Sequence, residues 1–169
     1  EHSRDSYSMA KLMSEFYIKL FSEELDLDFL IFRIFNTYGS RMVGTRYGQV
    51  IPEFISRLKA GEYPLGIIGD GLQSRSFMHV KDHVELAVKC IQSEARNTVI
   101  NLGNPTEIQI RDLAKLIMLK MKLKHIDFVS IASREGDHLR RFPDVSRLLG
   151  IIGGDYKYIS IEDGINSML

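Results

Sequence analysis

The chain has 169 residues with 22 basic and 22 acidic side chains, and its formal net charge is zero. This length suffices for one domain with a hydrophobic core. The only basic run is Lys115 to Lys124, which we interpret as a solvated helix face. A neutral chain of this kind is not expected to bind nucleic acid. No run approaches the ~18 apolar residues of a membrane span. The single cysteine, Cys90, excludes an internal disulfide and favours a reducing, cytoplasmic location.

Hydrophobic spacing predicts a helix followed by a strand at the start of the chain. Apolar residues recur at helical intervals over 7–21, with Asp5 and Ser6 as N-cap candidates. The segment 28–35 is almost continuously apolar, which is typical of a buried strand in a parallel sheet. The first residue is Glu1 and not Met, so we expect a longer protein upstream.

Strands and helices then alternate along the chain. The predicted strands are 65–68, 77–80, 99–102 and 126–131, and the predicted helices are 50–58, 81–91, 110–121, 144–149 (ended by Gly150) and 160–169. Alternation of this kind indicates an α/β fold. Only the strands near 29–35 and 98–102 are long and buried, and two strands do not make a stable sheet. The sheet must therefore be completed by strands outside this sequence, and an unpaired edge near Leu30 would favour aggregation.

A tyrosine and a lysine lie four residues apart on the first helix. Tyr7 and Lys11 therefore project from the same face. A free phenol has a pKa near ~10 and is a poor base at neutral pH, but a nearby ammonium favours the phenolate. Such a pair is suited to proton transfer coupled to hydride transfer. Most pairs at this spacing are ordinary surface neighbours, so the pair alone is weak evidence.

Further motifs follow in a fixed order. They are Arg33-Ile34-Phe35-Asn36-Thr37-Tyr38-Gly39, Gly69-Asp70-Gly71-Leu72-Gln73-Ser74-Arg75-Ser76-Phe77 leading to Val80-Lys81-Asp82, Asn101-Leu102-Gly103-Asn104-Pro105, and Arg140-Arg141-Phe142-Pro143-Asp144. With the Tyr-Lys helix, this set resembles the extended short-chain dehydrogenase/reductases that act on nucleotide sugars, on the UDP-glucuronate decarboxylase and dTDP-glucose 4,6-dehydratase side. The resemblance covers nearly the whole chain.

The resemblance implies a Rossmann-type parallel sheet with a small α/β substrate-binding subdomain, NAD as cofactor and a nucleotide-diphosphate sugar as substrate. It implies that residues 1–36 end the NAD-binding domain. Residues 37–169 would mainly form the substrate subdomain, with 80–102 returning to the Rossmann sheet. The Tyr-Lys helix would join two subunits into a homodimer, which agrees with its broad apolar face.

The same resemblance assigns roles to individual residues. Tyr7 would exchange the proton of the sugar C4 hydroxyl, and Lys11 would make that phenol more acidic and contact the nicotinamide ribose. Phe35 would lie against the cofactor and Asn36 against the diphosphate, at the strand end where ligands of open α/β sheets bind. Arg75 would clamp the nucleotide phosphates, and in the decarboxylases an arginine of this motif is also proposed to assist catalysis.

Arg141 resembles a second basic contact on the nucleotide side. The family more often has Arg-Lys-Pro-Asp at this position, and Phe142 departs from that pattern.

Structural interpretations of the same residues stay open at this point. For Arg33 the equal alternative is a buried ion pair, and for Asn36 it is a cap on a turn. For the segment 69–71 the alternative is a hairpin turn, and for Lys81 with Asp82 it is simply the start of a helix. His79 and His83 are four apart, but without a third ligand they do not predict a metal site.

No glycine-rich dinucleotide loop occurs in the 169 residues. The serine or threonine of the family's catalytic triad, and the acidic residue of its dehydratases and decarboxylases, would also precede Tyr7. We therefore expect a fragment of an enzyme that oxidises the sugar at C4, with no tight NAD binding and no turnover by the chain alone. The alternative is a non-catalytic module that binds a nucleotide sugar or forms a subunit interface.

Overall fold

The computed structural model describes residues 3–44, 49–124, 127–132 and 139–169. Its helices are α1 Ser3–Leu25, α2 Val50–Lys59, α3 Val80–Gln92, α4 Ile110–Lys120, α5 Ser146–Ile152 and α6 Ile161–Asn166. Its strands are β1 Leu30–Ile34, β2 Thr37–Tyr38, β3 Leu65–Ile68, β4 Ser74–Ser76, β5 Met78–His79, β6 Thr98–Leu102, β7 Glu107–Gln109, β8 Phe128–Ile131 and β9 Arg140–Arg141.

The predicted α/β class is confirmed by this element order and by the pairing of the strands. β1 and β6 pair in parallel, with Leu30 opposite Thr98 and Ile34 opposite Leu102. The other parallel pairs are β2 with β5, β3 with β8 and β4 with β9. The antiparallel pair is β4 with β7. Among the described residues nothing pairs with the second edge of β1, as expected for an incomplete sheet.

Buried side chains form two hydrophobic clusters. One lies among β1, β6, α3 and α5 and includes Met78, Leu86, Ile100 and Leu148. The other lies among α2, α4, α6 and β3; its fully buried members include Ile51, Leu65, Leu113, Ile117 and Ile165. The predicted division of the chain into 1–36, 37–169 and a returning 80–102 segment stays a prediction.

Several predicted boundaries are wrong. The first helix begins at Ser3, so Asp5 and Ser6 lie inside it and do not cap it. Of the predicted strand 77–80, only Met78 and His79 form a strand, β5, and Val80 already belongs to α3. Of the predicted strand 126–131, Ile126 lies outside the described residues.

The helix predicted to end at Gly150 continues to Ile152, because a helix tolerates one glycine. It ends at Gly153, whose backbone is left-handed with φ 86°.

Short strands account for the elements that the sequence did not predict. They are β2, β4, β7 and β9, which have two or three residues each, too few to show a hydrophobic period. The segment 69–71 is not a hairpin turn, because β3 pairs with β8 while β4 pairs with β7 and β9. It redirects the chain instead, and the Asp70 carboxylate accepts the Leu72 N–H at 2.9 Å.

The last helix begins with a pair of residues that resembles a capping box. Ser160 Oγ accepts the N–H of Asp163 at 3.0 Å and donates to the Asp163 carboxylate at 2.7 Å. The helix that it begins, α6, ends at Asn166, three residues before the predicted end. None of the described helices is long and apolar enough to cross a membrane.

The burial of two histidines is expected to make the stability of the fold depend on pH. Burial lowers the pKa of both His79 and His83 from their ordinary 6.5. The unfolded chain therefore takes up these protons first, so stability is full above pH 6.5 and falls as pH drops toward the folded pKa values. Urea unfolding at pH 8, 6.5 and 5.5 measures this loss. The carboxyl groups whose pKa is lowered have ordinary pKa values of 4.5 or below, so they titrate at lower pH than the two histidines.

The double variant His79→Asn/His83→Asn is the control for this pH profile. The asparagine side chains still offer hydrogen bonds but do not titrate in this range, so its stability is expected to vary much less between pH 8 and 5.5. An equally steep profile in the double variant would contradict the assignment.

Candidate nucleotide-sugar site

The carboxyl end of β1 is held close to the end of β6. The Phe35 N–H donates to the Leu102 carbonyl at 3.0 Å and so extends the parallel pairing by one residue. Gly103 comes next after β6. A side-chain carbon there would lie 2.7 Å from Pro143 Cγ and 3.0 Å from Phe35 Cβ. The absence of a side chain at Gly103 therefore lets Phe35 and Pro143 close this end of the sheet.

Asn36 joins the end of β1 to the β4–β5 segment. Its side-chain amide donates to the Ser76 carbonyl at 2.9 Å, and its own carbonyl accepts the Met78 N–H at 3.0 Å. Asn36 therefore does not cap the following turn. Its bonds connect it to a strand forty residues away. Asn36 is thus fixed beside Arg75, the residue before Ser76.

Arg75 and Arg141 lie directly opposite each other on paired parallel strands, β4 and β9. Opposed residues project from the same face of a sheet, with neighbouring strands about 4.8 Å apart. Both side chains carry a guanidinium, the group that suits bidentate binding of an anion. Arg75 also donates to the Ser74 carbonyl at 2.8 Å, which orients its side chain.

Arg140 is held on the opposite face of the same sheet. It donates to both carboxylate oxygens of Glu107, with a shortest distance of 2.6 Å, and its guanidinium lies 4.3 Å from the centroid of the Phe142 ring. This hydrogen bond also lowers the pKa of Glu107. Phe142, the departure from the expected motif, thus packs against Arg140 on the face away from Arg75.

Tyr7 and Lys11 are side by side on α1, as their spacing predicts. The Lys11 ammonium lies 5.4 Å from the centroid of the Tyr7 ring, and Tyr7 is 66% exposed. Further along the helix, Glu15 binds Arg33 of β1 through two hydrogen bonds, of 2.7 and 2.8 Å. At 1.5 Å per residue, Tyr7 lies about 12 Å beyond Glu15 along the helix axis. Because the helix runs antiparallel to β1, this offset points toward the carboxyl end of the strand.

Arg33 therefore forms an ion pair, but not a buried one. Its side chain is 53% exposed, whereas that of Glu15 is 14% exposed. The bidentate bond lowers the pKa of Glu15 and raises that of Arg33. The structure thus holds Phe35 and Asn36 at the end of β1, bonds Asn36 to Ser76, and pairs Arg75, the residue before Ser76, with Arg141. It places Tyr7 with Lys11 as a second group on α1.

The rest of α1 is almost entirely exposed. Its partly buried side chains, Glu15 and Ser22, face the chain's own β1 side. Its exposed large apolar side chains cover the remaining arc: Tyr7, Met9, Leu12, Met13, Phe16, Tyr17, Ile18, Leu20, Phe21 and Leu25. An apolar arc of this extent is typical of a helix that is covered by other protein on several sides.

Sequence reasoning missed the role of Asp82. It does lie in the first turn of α3, but it is only 2% exposed. One of its oxygens accepts the Tyr156 hydroxyl and the other accepts the Ile159 N–H, each at 3.0 Å. A signal was present, since Asp82 occupies the same helical face as the apolar Leu86 and Cys90. No metal-binding group of His, Cys, Asp and Glu occurs within the described ranges, while His2, His125 and His138 lie outside them.

Comparison with known proteins decides the family. Residues 1–103 match the profile of the NAD dependent epimerase/dehydratase family. The chain belongs to this family. UDP-glucuronic acid decarboxylase 1 of Danio rerio is 33% identical over 167 residues, which cover 98% of this chain and 38% of that protein. The chain thus spans less than half the length of this relative.

Solved structures of the epimerase/dehydratase family share the fold. The UDP-N-acetylglucosamine 4-epimerase of Methanobrevibacter ruminantium, in complex with UDP-N-acetylmuramic acid, superposes with a TM-score of 0.86. It has 29% identity over 96% of this chain and 51% of that one. The UDP-glucuronic acid 4-epimerase of Bacillus cereus, with UDP-glucuronic acid and NAD, gives a TM-score of 0.83. At 23% identity over 95% of this chain and 50% of that one, it supports the fold alone.

The epimerase/dehydratase family is NAD-dependent. The residues present fit one part of an NAD site. The close approach at Gly103 leaves Phe35 as a wall at the end of β1, where ligands of parallel sheets bind. Phe35 would contact the nicotinamide end of the cofactor, together with Tyr7 and Lys11. The pyrophosphate requires a glycine-rich loop at a helix N-terminus, which these 169 residues lack.

Proposed function

We propose that the chain provides the nucleotide-sugar half of an NAD-dependent epimerase, dehydratase or decarboxylase that oxidises the sugar at C4. The observation that carries the proposal is the pairing of Arg75 with Arg141 beside Asn36. A pyrophosphate matches this arrangement, because it carries the negative charge and the acceptor oxygens that guanidinium groups bind in bidentate fashion. The decarboxylase relatives support the same substrate class, a UDP-sugar.

The reacting sugar would lie between this diphosphate site and α1. The Lys11 ammonium stabilises the phenolate form of Tyr7, and this phenolate takes the proton from the C4 hydroxyl and becomes a neutral phenol. NAD, when bound, supplies the hydride acceptor that side chains cannot provide. Epimerisation, elimination and decarboxylation all begin with this oxidation, so the three activities share Tyr7 and Lys11.

The open edge of β1 supports a second, dinucleotide-binding half that adds strands beside it and supplies the glycine-rich loop. Without that half, the chain is not expected to bind NAD tightly or to turn over. The alternative function is a module that binds a nucleotide sugar or a subunit without redox chemistry. It would use the same arginines, but Tyr7 would then have no chemical role. A cytoplasmic location remains part of the proposal.

Removing either arginine is expected to weaken binding of a UDP-sugar. Each of Arg75→Ala and Arg141→Ala should raise the dissociation constant about 10- to 100-fold, since each deletes charge-assisted hydrogen bonds to phosphate. Titration calorimetry of the chain with UDP-glucuronic acid measures this change. Arg75→Lys should recover only part of the affinity, because a lysine cannot make the bidentate contact.

The matched control for these variants is Arg96→Ala. Arg96 is also exposed, but it contacts Asp28 at the far end of the β1–β6 pair. Affinity for the UDP-sugar should be unchanged in this variant. Equal losses in Arg75→Ala and Arg96→Ala would contradict the diphosphate site and indicate a general effect of charge.

We also propose that α1 forms a homodimer, because its apolar arc is wide and exposed. The expected result of light scattering on the purified chain is a dimer or larger assembly, with a mass that falls when Phe16→Glu and Phe21→Glu are introduced together. The control, Val129→Glu, changes an exposed apolar residue of β8 and should leave the mass unchanged. A monomer at high concentration would exclude the helix as an interface.

A further inference from the structure

A histidine of α3 is hydrogen-bonded to the segment that follows β1. His83 Nδ1 lies 2.8 Å from Thr37 Oγ1, and this hydroxyl donates to the Phe35 carbonyl at 3.2 Å. Phe35 and Thr37 flank Asn36 in the sequence, whereas His83 lies near the start of α3. The contact therefore ties α3 to the strand end that carries the proposed sugar site.

The direction of these bonds defines the tautomer of the His83 ring. A threonine hydroxyl has one proton. Because that of Thr37 is donated to the Phe35 carbonyl, the hydroxyl oxygen accepts from His83, whose ring proton is then on Nδ1. Burial lowers the pKa of His83 from its ordinary 6.5, so the ring is neutral at pH 7.5 and its tautomer can be observed there.

The Thr37–His83 contact completes the support of the peptide between Phe35 and Asn36. The Phe35 N–H is bonded to the end of β6, and Asn36 is bonded to the β4–β5 segment. The contact from α3 adds a bond to the Phe35 carbonyl. This carbonyl and the Asn36 N–H belong to one planar peptide group. Holding the carbonyl therefore fixes the plane from which the Asn36 side chain projects.

The start of α3 is itself anchored, which makes His83 a firm support. The preceding residue, Asp82, is buried and accepts the Tyr156 hydroxyl and the Ile159 N–H, each at 3.0 Å. A side chain on a fixed helical turn positions its partner more precisely than one on a loop. The bonds thus continue from the C-terminal part of the chain through α3 to Thr37.

We propose that His83 is a positioning residue of the nucleotide-sugar site, because through the Thr37 hydroxyl it holds the Phe35–Asn36 peptide in the orientation that binds the substrate. The inference rests on the proposed function, since it assigns His83 to the site that Asn36 forms there. His83 acts through Thr37 and takes no part in the proton transfer. Without it, the substrate has to order a segment that is otherwise ordered beforehand, which lowers affinity.

Nitrogen NMR of the ¹⁵N-labelled 169-residue chain tests the contact without any substrate. At pH 7.5 the His83 ring is expected in the Nδ1–H form. Thr37→Val removes the acceptor and should shift the ring toward the Nε2–H form, because the hydrogen bond sets which nitrogen is protonated. An Nε2–H ring in the wild-type chain would overturn the proposal, since Thr37 would then donate to His83 and not to the Phe35 carbonyl.

Calorimetry with UDP-glucuronic acid measures the effect on the site. His83→Leu and Thr37→Val should each raise the Kd about 3- to 10-fold, as expected for loss of one neutral hydrogen bond. The double variant should lose no more than the larger single loss, because both changes remove the same contact. His83→Asn places an amide N–H near the position of Nδ1 and should recover most of the affinity.

Thr98→Val is the matched control for Thr37→Val. Thr98 is also a half-buried threonine, but it lies at the far end of the β1–β6 pair, so its replacement should leave the Kd unchanged. Wild-type affinity in both His83→Leu and Thr37→Val, or additive losses in the double variant, would overturn the positioning role and leave the proposed function intact. No binding by the wild-type chain would contradict the proposed function, and the positioning role with it.

Discussion

Replacing Tyr7 by phenylalanine is expected to lower kcat on the order of a hundredfold to ten-thousandfold, the usual contribution of a general acid–base group. The measurement requires the chain assembled with a dinucleotide-binding half, with UDP-glucuronic acid and NAD supplied. The variant removes one hydroxyl from an exposed side chain, so the fold and the diphosphate contacts remain. Binding of the UDP-sugar by calorimetry should therefore be unchanged while turnover is lost.

Tyr17→Phe is the matched control for this experiment. Tyr17 lies on the same helix, is 51% exposed and packs edge-on against Phe16. Its hydroxyl has no part in the proposed chemistry, so turnover should stay near the wild-type value. Full turnover in Tyr7→Phe would refute the catalytic proposal and leave the binding module as the interpretation. Equal losses in both variants would indicate an effect on the helix and not on the reaction.

The second large effect is expected at Asp82. Asp82→Ala leaves the Ile159 N–H without its buried acceptor and removes one of the two acceptors of the Tyr156 hydroxyl, the other being Glu85 at 3.1 Å. A buried unsatisfied donor costs about 1 to 3 kcal/mol, so the free energy of unfolding should fall by about 3 kcal/mol. Urea unfolding, followed by circular dichroism, measures the loss.

Two variants separate the contributions at Asp82. Tyr156→Phe removes one donor and keeps the bond to Ile159, so it should cost about 1 kcal/mol. Asp112→Ala changes an exposed aspartate in the first turn of α4, whose side chain is 48% exposed, and should cost less than about 0.5 kcal/mol. A loss at Asp82 no larger than that at Asp112 would show that the bonds to the segment 156–159 contribute little.

The sequence predicted most of the long elements because their apolar residues recur at regular intervals. The strand 65–68 is confirmed residue by residue. The two-residue strands were not predictable, since their pairing depends on residues far along the chain. Gly150 misled the prediction because a glycine signals the end of a helix only when the backbone there turns left-handed, and this happens at Gly153.

Residue types and order selected the residues of the candidate site but not the contacts that support them. The resemblance selected Arg75 and Arg141, and the fold places them opposite each other on paired strands. Their catalytic and binding roles remain predictions. The partners of Asp82 and Glu15 could not be predicted, because they lie elsewhere in the fold, in the segment 156–159 and at Arg33 respectively. The position of Asp82 on the apolar face of α3 signals its burial but not the groups that it binds.

The pairing of the strands has a consequence for how quickly this chain folds. No β-hairpin joins neighbouring strands in the described part of the chain, and the least separated paired residues are Ser76 and Glu107. Each sheet therefore forms only after a long loop has closed, at an entropic cost that local contacts do not offset beforehand. Refolding should be slow compared with that of a helical bundle of similar length. During that delay the apolar side chains of α1 are accessible to other unfolded chains, which makes dilute conditions preferable for recovering native protein.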